Sequence, residues 1–576
     1  MFKSNGVIVS RVNSASFLLI MSVPVLGQQS AIAQNIEISA LDSEAWTVGF
    51  PETSVSGRSL SGPKKQASIL PEIVAPAIQP SEAADQNGSL DDGPSNFRIG
   101  AVGVVGADAL DIEVFSPVVE AFIGQEATDD ELASLTQQVA NIAREKGYIF
   151  ASAYIPEQAV QMGVLQIQLV EGKIDTVRII GSDNRHLRKI LSSLEGKVAR
   201  RSEIERKLLL AGDIPDIYVR STNFLQEDGM NILQVTVRER GDRVRIQGDN
   251  YGSDSFGPVR ARISADARGL IGDADTAGFA IRTNPIEPKE ILSVSGYYQT
   301  EMGIDGLRAG IAASIGENEP GSSRSGSDVS GESRYLALFA SYPIVRSTSG
   351  SLWIETEATY LSISRDDMDV LIRDDTQVTM SLGFRGDIPF AGGRVRAGTS
   401  LVQGFDIFGA TRRGNPLASL LDGDGVFTKG EFWADFRTGL TKDLSIYLAA
   451  RGQIANRPLL AAQELGIGGA YRVRGYDFSE LSGDDGFYGL AELRYNVKSP
   501  VNWLRRLQVY GFADMGHVND LASDRSEGTL VSAGSGVRGN IGPFDFELEG
   551  ALPVNRDRRN SGDKNPHVNV RVGVDF

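Results

Sequence analysis

From about residue 243 to residue 576 the chain is made of short segments in which apolar and polar residues alternate. The last, "HVNVRVGVDF" (567–576), sets Val568, Val570, Val572, Val574 and Phe576 on one side and Asn569, Arg571, Gly573 and Asp575 on the other. Such alternation makes a β-strand with one apolar and one polar face. About 9–11 residues also cross a bilayer as a tilted strand. "RVRIQGDN" (243–250), "RARISADARG" (260–269), "SLWIETEATYL" (351–361), "LSIYLAARGQIA" (444–455), "LQVYGFAD" (507–514) and "FDFELEGAL" (544–552) repeat the pattern. Polar, Gly-rich stretches separate them, the longest being 316–333, and no helix is expected. At ~10 residues per strand, roughly 16 antiparallel strands fit into this region. A soluble sandwich would show the same alternation, so the rest of the chain must decide.

The N-terminus decides much of it. Lys3 and Arg11 flank the apolar run 16–26, and Ala31-Ile32-Ala33 fits a small-residue cleavage site. This reads as a secretory signal over 1–33. Beyond it no run of 18 apolar residues occurs, which excludes a helical membrane protein. An exported chain ending on a membrane-length strand favours an outer-membrane barrel over 242–576. A closed barrel pairs its last strand with its first and leaves no edge, and an aromatic Phe576 suits the lipid–water boundary.

Charge and composition narrow the function. A net charge of −17 argues against a nucleic-acid partner. Without cysteine there is no disulfide or thiolate site, and the three histidines (His186, His517, His567) are too scattered for a metal site. No cofactor or metal is expected.

Residues 34–95 are a flexible, Pro-punctuated linker. Two α+β modules follow, over 96–173 and 174–241, each read as strand–helix–strand–strand. In the first, "FRIGAVGVV" is a strand and Thr128 to Glu131 form a capping box. Leu132, Leu135, Val139 and Ile142 share a helix face that stops at Gly147. Strands over 148–154 and 164–170 complete it. In the second, Ser202 and Glu205 form a capping box, Gly212 and Pro215 end the helix, and strands cover 217–225 and 232–240.

This plan resembles the outer-membrane transporters of two-partner secretion, the TpsB class that exports haemolysins and filamentous haemagglutinins, within the barrel-assembly superfamily. The match runs over about residues 97–576. In the first module Pro156, Gln158, Gly163, Glu171 and Gly172 sit at the spacing of the family's POTRA signature. In the second, "IERKLLLAGDIPDIYVRS" is similar, but Asp216 stands where the family commonly has Gly. "GDNYGSDSFGPVR", with Asn250, Gly252 and Gly257, looks like the first barrel strand, and "SYPIVRS" (341–347) also matches. Val473-Arg474-Gly475-Tyr476 resembles the superfamily's inward-folded loop motif, and Phe512-x-Asp514-x-Gly516 its partner on the wall. The resemblance implies two periplasmic POTRA domains, an Arg474–Asp514 pair, and Phe576 as an assembly signal. Gly469 and Gly475 would permit the loop to turn, and Gly511 and Gly516 would leave room beside Asp514. Residues 34–60 show no clear amphipathic helix of the kind that often plugs such barrels.

Other patterns carry less. Gly534-x-Gly536-x-x-Gly539 fits a dinucleotide fingerprint, but a strand follows it instead of a helix. "DGDGVFTKGE" (422–431) lacks the ligand spacing of a calcium loop, and the acids of 364–375 read as loop charges. No nucleophile–base constellation appears, so an enzyme is not expected. The resemblance implies a transporter that captures an unfolded, β-rich periplasmic cargo and passes it to the surface. Its other partners would be outer-membrane lipid and the barrel-assembly machinery that inserts it. An insertase or a passive porin is the alternative. Two modules are few for the first, and a porin needs none.

Overall fold

The computed structural model describes residues 97–576 apart from 107–109, 157, 159–162, 253–256, 320–328, 499–500, 502 and 523–526. The signal and linker expected before residue 96, including residues 34–60 where the sequence shows no clear plug helix, lie outside the described residues.

The first unit runs β1 (Ala101–Val105), α1 (Ser116–Phe122), α2 (Asp129–Glu145), β2 (Ser152–Tyr154) and β3 (Val164–Val170). Its sheet order is β1-β3-β2, with β3 parallel to β1 and antiparallel to β2. The Thr128 hydroxyl accepts the Glu131 N–H (3.3 Å) and starts α2. Leu132, Leu135 and Val139 then bury against Leu165, Ile167 and Leu169 of β3. The second unit repeats the plan: β4 (Thr176–Ile180), α3 (Arg185–Ser192), α4 (Arg201–Asp213), β5 (Ile217–Glu227) and β6 (Met230–Glu239), with order β4-β6-β5.

Three expectations need correction here. Each unit has two helices, because α1 and α3 are too short to show a period in the sequence. Ser202 does not cap α4; the helix begins at Arg201 and no side chain caps it. Its start is held by the first unit, since the Arg201 N–H donates to Gly147 O (2.9 Å). Gly212 lies inside α4, which ends at Asp213. The turn comes at Asp216, whose φ of 63° explains why a glycine would be at home there. The Asp216 carboxylate pairs with Arg268 in the barrel, a contact glycine could not make.

The barrel closes over sixteen strands. They begin with β7 (Arg243–Asp249), β8 (Arg260–Arg268), β9 (Asp275–Thr283), β10 (Leu292–Met302) and β11 (Leu307–Asn318). Next come β12 (Val329–Ser347), β13 (Gly350–Asp367), β14 (Val370–Phe390), β15 (Gly393–Gly404), β16 (Thr428–Gly439) and β17 (Leu444–Ala455). After a loop holding the short hairpin β18 (Leu465–Ile467) and β19 (Leu481–Gly483) come β20 (Asp485–Val497), β21 (Leu504–Asn519), β22 (Gly528–Ile541), β23 (Phe544–Pro553) and β24 (His567–Asp575). The alternation has the expected meaning. On β24, Val568, Val570 and Val572 face outward and Asn569 and Arg571 are buried inside, the lipid and lumen registers of a membrane barrel.

Strands β12, β13 and β14 hold 19, 18 and 21 residues, well beyond what a bilayer needs. Hence most of the acids of 364–375 are not loop charges. All but Asp369, which sits in a two-residue turn, lie on β13 and β14, and Asp375 is buried, accepting the Ser419 N–H (3.0 Å). Strand clear of the bilayer has no need of an apolar face, so it reads like loop. Residues 534–539 lie within β22. In 422–431, Asp424 pairs with Arg412 and Arg457. Asn250, Gly252 and Gly257 lie just past the end of β7, in the turn towards β8.

The seam is the shortest contact in the ring. β24 and β7 share five paired residues, against at least seven elsewhere. Side chains extend it. The Asn250 carboxamide donates to Val568 O (2.7 Å) and accepts the Val570 N–H (2.6 Å). Arg243 and Arg245 pair with Asp575, and Arg245 also with Asp545. Phe576 ends the seam, donating its N–H to Val244 O (2.9 Å).

The second unit is docked on periplasmic turns. Asp213 at the end of α4 takes two hydrogen bonds from Arg346 (2.6 and 2.7 Å), and its carbonyl takes one from Arg308 (2.8 Å). Lys207 reaches Ile304 O and Asp305, Arg206 reaches Pro343 O within "SYPIVRS", and Asn184 reaches Asp273 O. These contacts hold the turns after β8, β10 and β12.

Candidate functional site

Residues 456–484, between β17 and β20, fold back into the lumen. The β18–β19 hairpin makes the neck, and the tip returns on itself where the Gly469 N–H meets Tyr476 O (3.0 Å). Val473 and Tyr476 are fully buried beside Ile467, Leu481 and Val518. A loop of this kind must satisfy its polar groups inside the protein, and it does so through Arg474.

Arg474 is 5% exposed and Asp514, on β21, 2%. Nε and Nη2 of Arg474 donate to the two Asp514 oxygens (2.8 and 2.7 Å), and its backbone N–H adds a third bond (3.1 Å). Nη1 donates to Glu492 on β20 (2.8 Å) and Glu549 on β23 (2.9 Å). The guanidinium carbon lies 3.5 Å from the centre of the Phe512 ring, so one cation meets three carboxylates and an aromatic face. The carboxylates are themselves held: Ser532 donates to Asp514, Tyr510 and Asn569 to Glu549, and Arg494 and Arg538 to Glu492. Tyr476 donates from its hydroxyl to Asn555 (2.8 Å), tying the tip to the loop after β23.

Close approach explains two of the glycines. A Cβ on Gly475 would stand 2.7 Å from the Leu552 backbone, so the loop lies directly against β23. One on Gly516 would meet Ile467 and Val473 at 3.0 and 3.1 Å. Gly511 has no such neighbour, its nearest being Gly534 O at 3.9 Å, so the room expected there is not used. Glu492 and Glu549 were missed in the sequence, where each looks like any polar lumen residue of an alternating strand.

The motif of the first unit gathers around β3. Gly163 and Gly172 bracket it at φ 75° and 72°. The Gln158 carboxamide bonds the backbone of Gln166, and Pro156 follows β2. A Glu171 carboxylate oxygen is buried with no hydrogen-bond partner among the described residues.

The model of the ShlB-type POTRA domain matches residues 97–172, and that of the haemolysin secretion/activation protein family ShlB/FhaC/HecB matches 229–539. The latter spans more than half of the chain, including the loop and its wall strands β20 and β21. The chain belongs to the ShlB/FhaC/HecB family. Similar proteins include the outer membrane transporter CdiB of Dickeya dadantii (strain 3937), 23% identical over 70% of this chain and 73% of that one. The hemolysin transporter protein ShlB of Serratia marcescens is 24% identical over 74% of each. The heme/hemopexin transporter protein HuxB of Haemophilus influenzae (strain 86-028NP) is 18% identical over 81% and 84%. Among solved structures, CdiB from Escherichia coli shares the fold with a TM-score of 0.71, covering 86% of this chain and 95% of that one at 20% identity. Like its family, this ShlB/FhaC/HecB member is an outer-membrane transporter of two-partner secretion with its POTRA region in the periplasm.

Proposed function

We propose that this transporter catches an unfolded, β-rich secreted partner on its periplasmic units, feeds it past the Arg474-held loop and releases it at the cell surface. The observation that carries this is the union of two small units with exposed sheet edges and a closed barrel with a polar lumen. An extended chain can add to such an edge through main-chain hydrogen bonds, which demand little of its sequence. The lumen then offers polar walls that an unfolded chain crosses without partitioning into lipid. Folding of the partner outside would make its return unfavourable. In this reading Arg474 and its three carboxylates fix where the loop stands, and hence how much of the lumen is open.

The test is secretion of the partner by cells that carry the transporter without residues 97–240. Loss of surface partner with the barrel still inserted, seen as heat-dependent migration on a gel, supports capture by these units. Normal secretion without them refutes it.

A further inference from the structure

On the periplasmic side of the Arg474 anchor the lumen wall carries a row of arginines. Arg396 on β15, Arg437 on β16, Arg494 on β20 and Arg538 on β22 each lie near the periplasmic end of their strand. On β16, Phe436 stands on the outer face beside the exposed Phe390 (ring centres 6.1 Å apart), so its neighbours Asp435 and Arg437 point inward. Three of the four arginines are paired. Arg396 meets Asp435 (2.9 Å), Arg494 meets Glu492 (2.6 Å), and Arg538 reaches Glu492 (3.3 Å) and Glu547 (3.6 Å). Arg437 is half-buried and makes no hydrogen bond or ion pair among the described residues. The charges that act on it most are those of Arg494, Arg538 and Arg396.

The acids near Arg437 are already engaged. Glu492 is divided among Arg474, Arg494 and Arg538, and Glu547 also holds Arg571. Asp435 holds Arg396. Tyr447, directly across from Arg437, carries the Arg494 guanidinium over its ring at 4.0 Å. Arg394 and Asp387 at the rim pair with each other. The row thus holds more cations than its acids answer, in a chain whose formal charge is −17. We infer that Arg437, flanked by Arg396, Arg494 and Arg538, is an anion station at the periplasmic mouth of the lumen, which receives carboxylate side chains of the polypeptide in transit. This inference rests on the transit reading above and adds a residue and a charge preference to it.

The chemistry suits a passing carboxylate. A guanidinium offers a planar fork of N–H donors that matches one. At Arg437 no resident ion pair has to break first, so the arriving group displaces only water. The three neighbouring cations lend their field, since a cleft lined by one sign of charge concentrates ions of the other. The contact stays partly open to water, which keeps it weak. A chain in transit needs that weakness: it is drawn in at the mouth and leaves without a large barrier. Basic or uncharged segments gain nothing at this point, so entry favours acidic stretches.

The experiment uses the full transporter in a non-ionic detergent and a fluorescent peptide of alternating aspartate and serine with a central photoreactive residue. A second peptide carries asparagine in place of each aspartate. The acidic peptide should bind, should cross-link to the wall around Arg437 and should be released by salt, which screens such contacts. The amide peptide should do none of these. Arg437→Gln should weaken binding about fivefold, the scale of one partly exposed ion pair. Arg437→Lys keeps the charge and should recover most of the loss, which separates a lost charge from a disturbed barrel. Equal binding of both peptides, binding unchanged in Arg437→Gln, or the same loss in both variants overturns the inference. If that happens while removal of 97–240 still abolishes secretion, the transport reading stands without this station. If binding follows Arg437 but removal of 97–240 leaves secretion intact, the station stands and the capture reading is wrong.

Discussion

Arg474 and Asp514 meet through both guanidinium nitrogens on one side, while the remaining nitrogen reaches Glu492 and Glu549. The two ends of this contact are therefore unequal. Arg474→Ala leaves three buried carboxylates facing one another; Asp514→Ala leaves Arg474 two partners. Breaking a buried ion pair from one side costs about 3–5 kcal/mol. Arg474→Ala should abolish secretion and Asp514→Ala should reduce it less, with the barrel still inserted in each. The double variant should be no worse than Arg474→Ala alone. Additive losses in that cycle would mean that the residues act separately.

The α4 dock depends on Asp213. Arg346 grips its carboxylate with two bonds, and Arg308 takes the carbonyl behind it. Asp213→Ala should free the second unit while leaving its own core intact. Spin labels on α4 and on the turn after β14 should then report a broadened distance distribution. An unchanged, narrow distribution would assign the docking to Lys207, Arg206 and Asn184.

Asn250 lengthens a seam of five residue pairs with two further bonds to β24. Asn250→Ala should lower the temperature at which the barrel loses its compact gel form by several degrees, from about 1 kcal/mol per lost bond. Asn250→Asp keeps the acceptor for the Val570 N–H and should fall between. No shift in either would show that the ion pairs of Arg243 and Arg245 hold the seam unaided.

Asp484, between β19 and β20, accepts N–H groups from Leu459 (2.7 Å) and Leu521 (2.8 Å) in the outer loops. Burial pushes its pKa up from 3.8 to about 6, with the nearby Asp520 adding to the rise. The folded form thus holds a proton that the unfolded form has released between those values. Stability from this group is greatest at low pH and falls as pH rises through 6. Hydrogen exchange at 456–463, corrected for intrinsic rates, should be slower at pH 5 than at pH 7. Asp484→Asn should remove the difference, and a difference that survives it must come from another group.

Much of this architecture was legible because period two is hard to disguise. β24 announces its lipid face through Val568, Val570 and Val572, and the residue count allowed about sixteen such strands. The loop and wall were readable as Arg474 and Asp514 only through their resemblance to the superfamily's two motifs, since a charge beside glycine reads equally well as an exposed one. Glu492 and Glu549 did not stand out, because a polar residue in the lumen register is what any barrel strand shows. α1 and α3 were missed for want of length. The start of α4 was misread because a neighbouring unit, not a side chain, holds it. Asp216 was visible as a departure from the family, but its ion pair with Arg268 joins residues far apart in sequence.

The dock of α4 divides the ring into two working halves. The turns it holds lie between β8 and β13, while the loop anchor stands on β20, β21 and β23. In ring order these groups are centred about eight strands apart in a barrel of sixteen, and so face each other across the lumen. In the route proposed above, a chain handed over by the second unit would start beside one wall, with the loop tethered to the other. Transit would then be a passage between a stationary bank and a moored one, and only the mooring would have to give way.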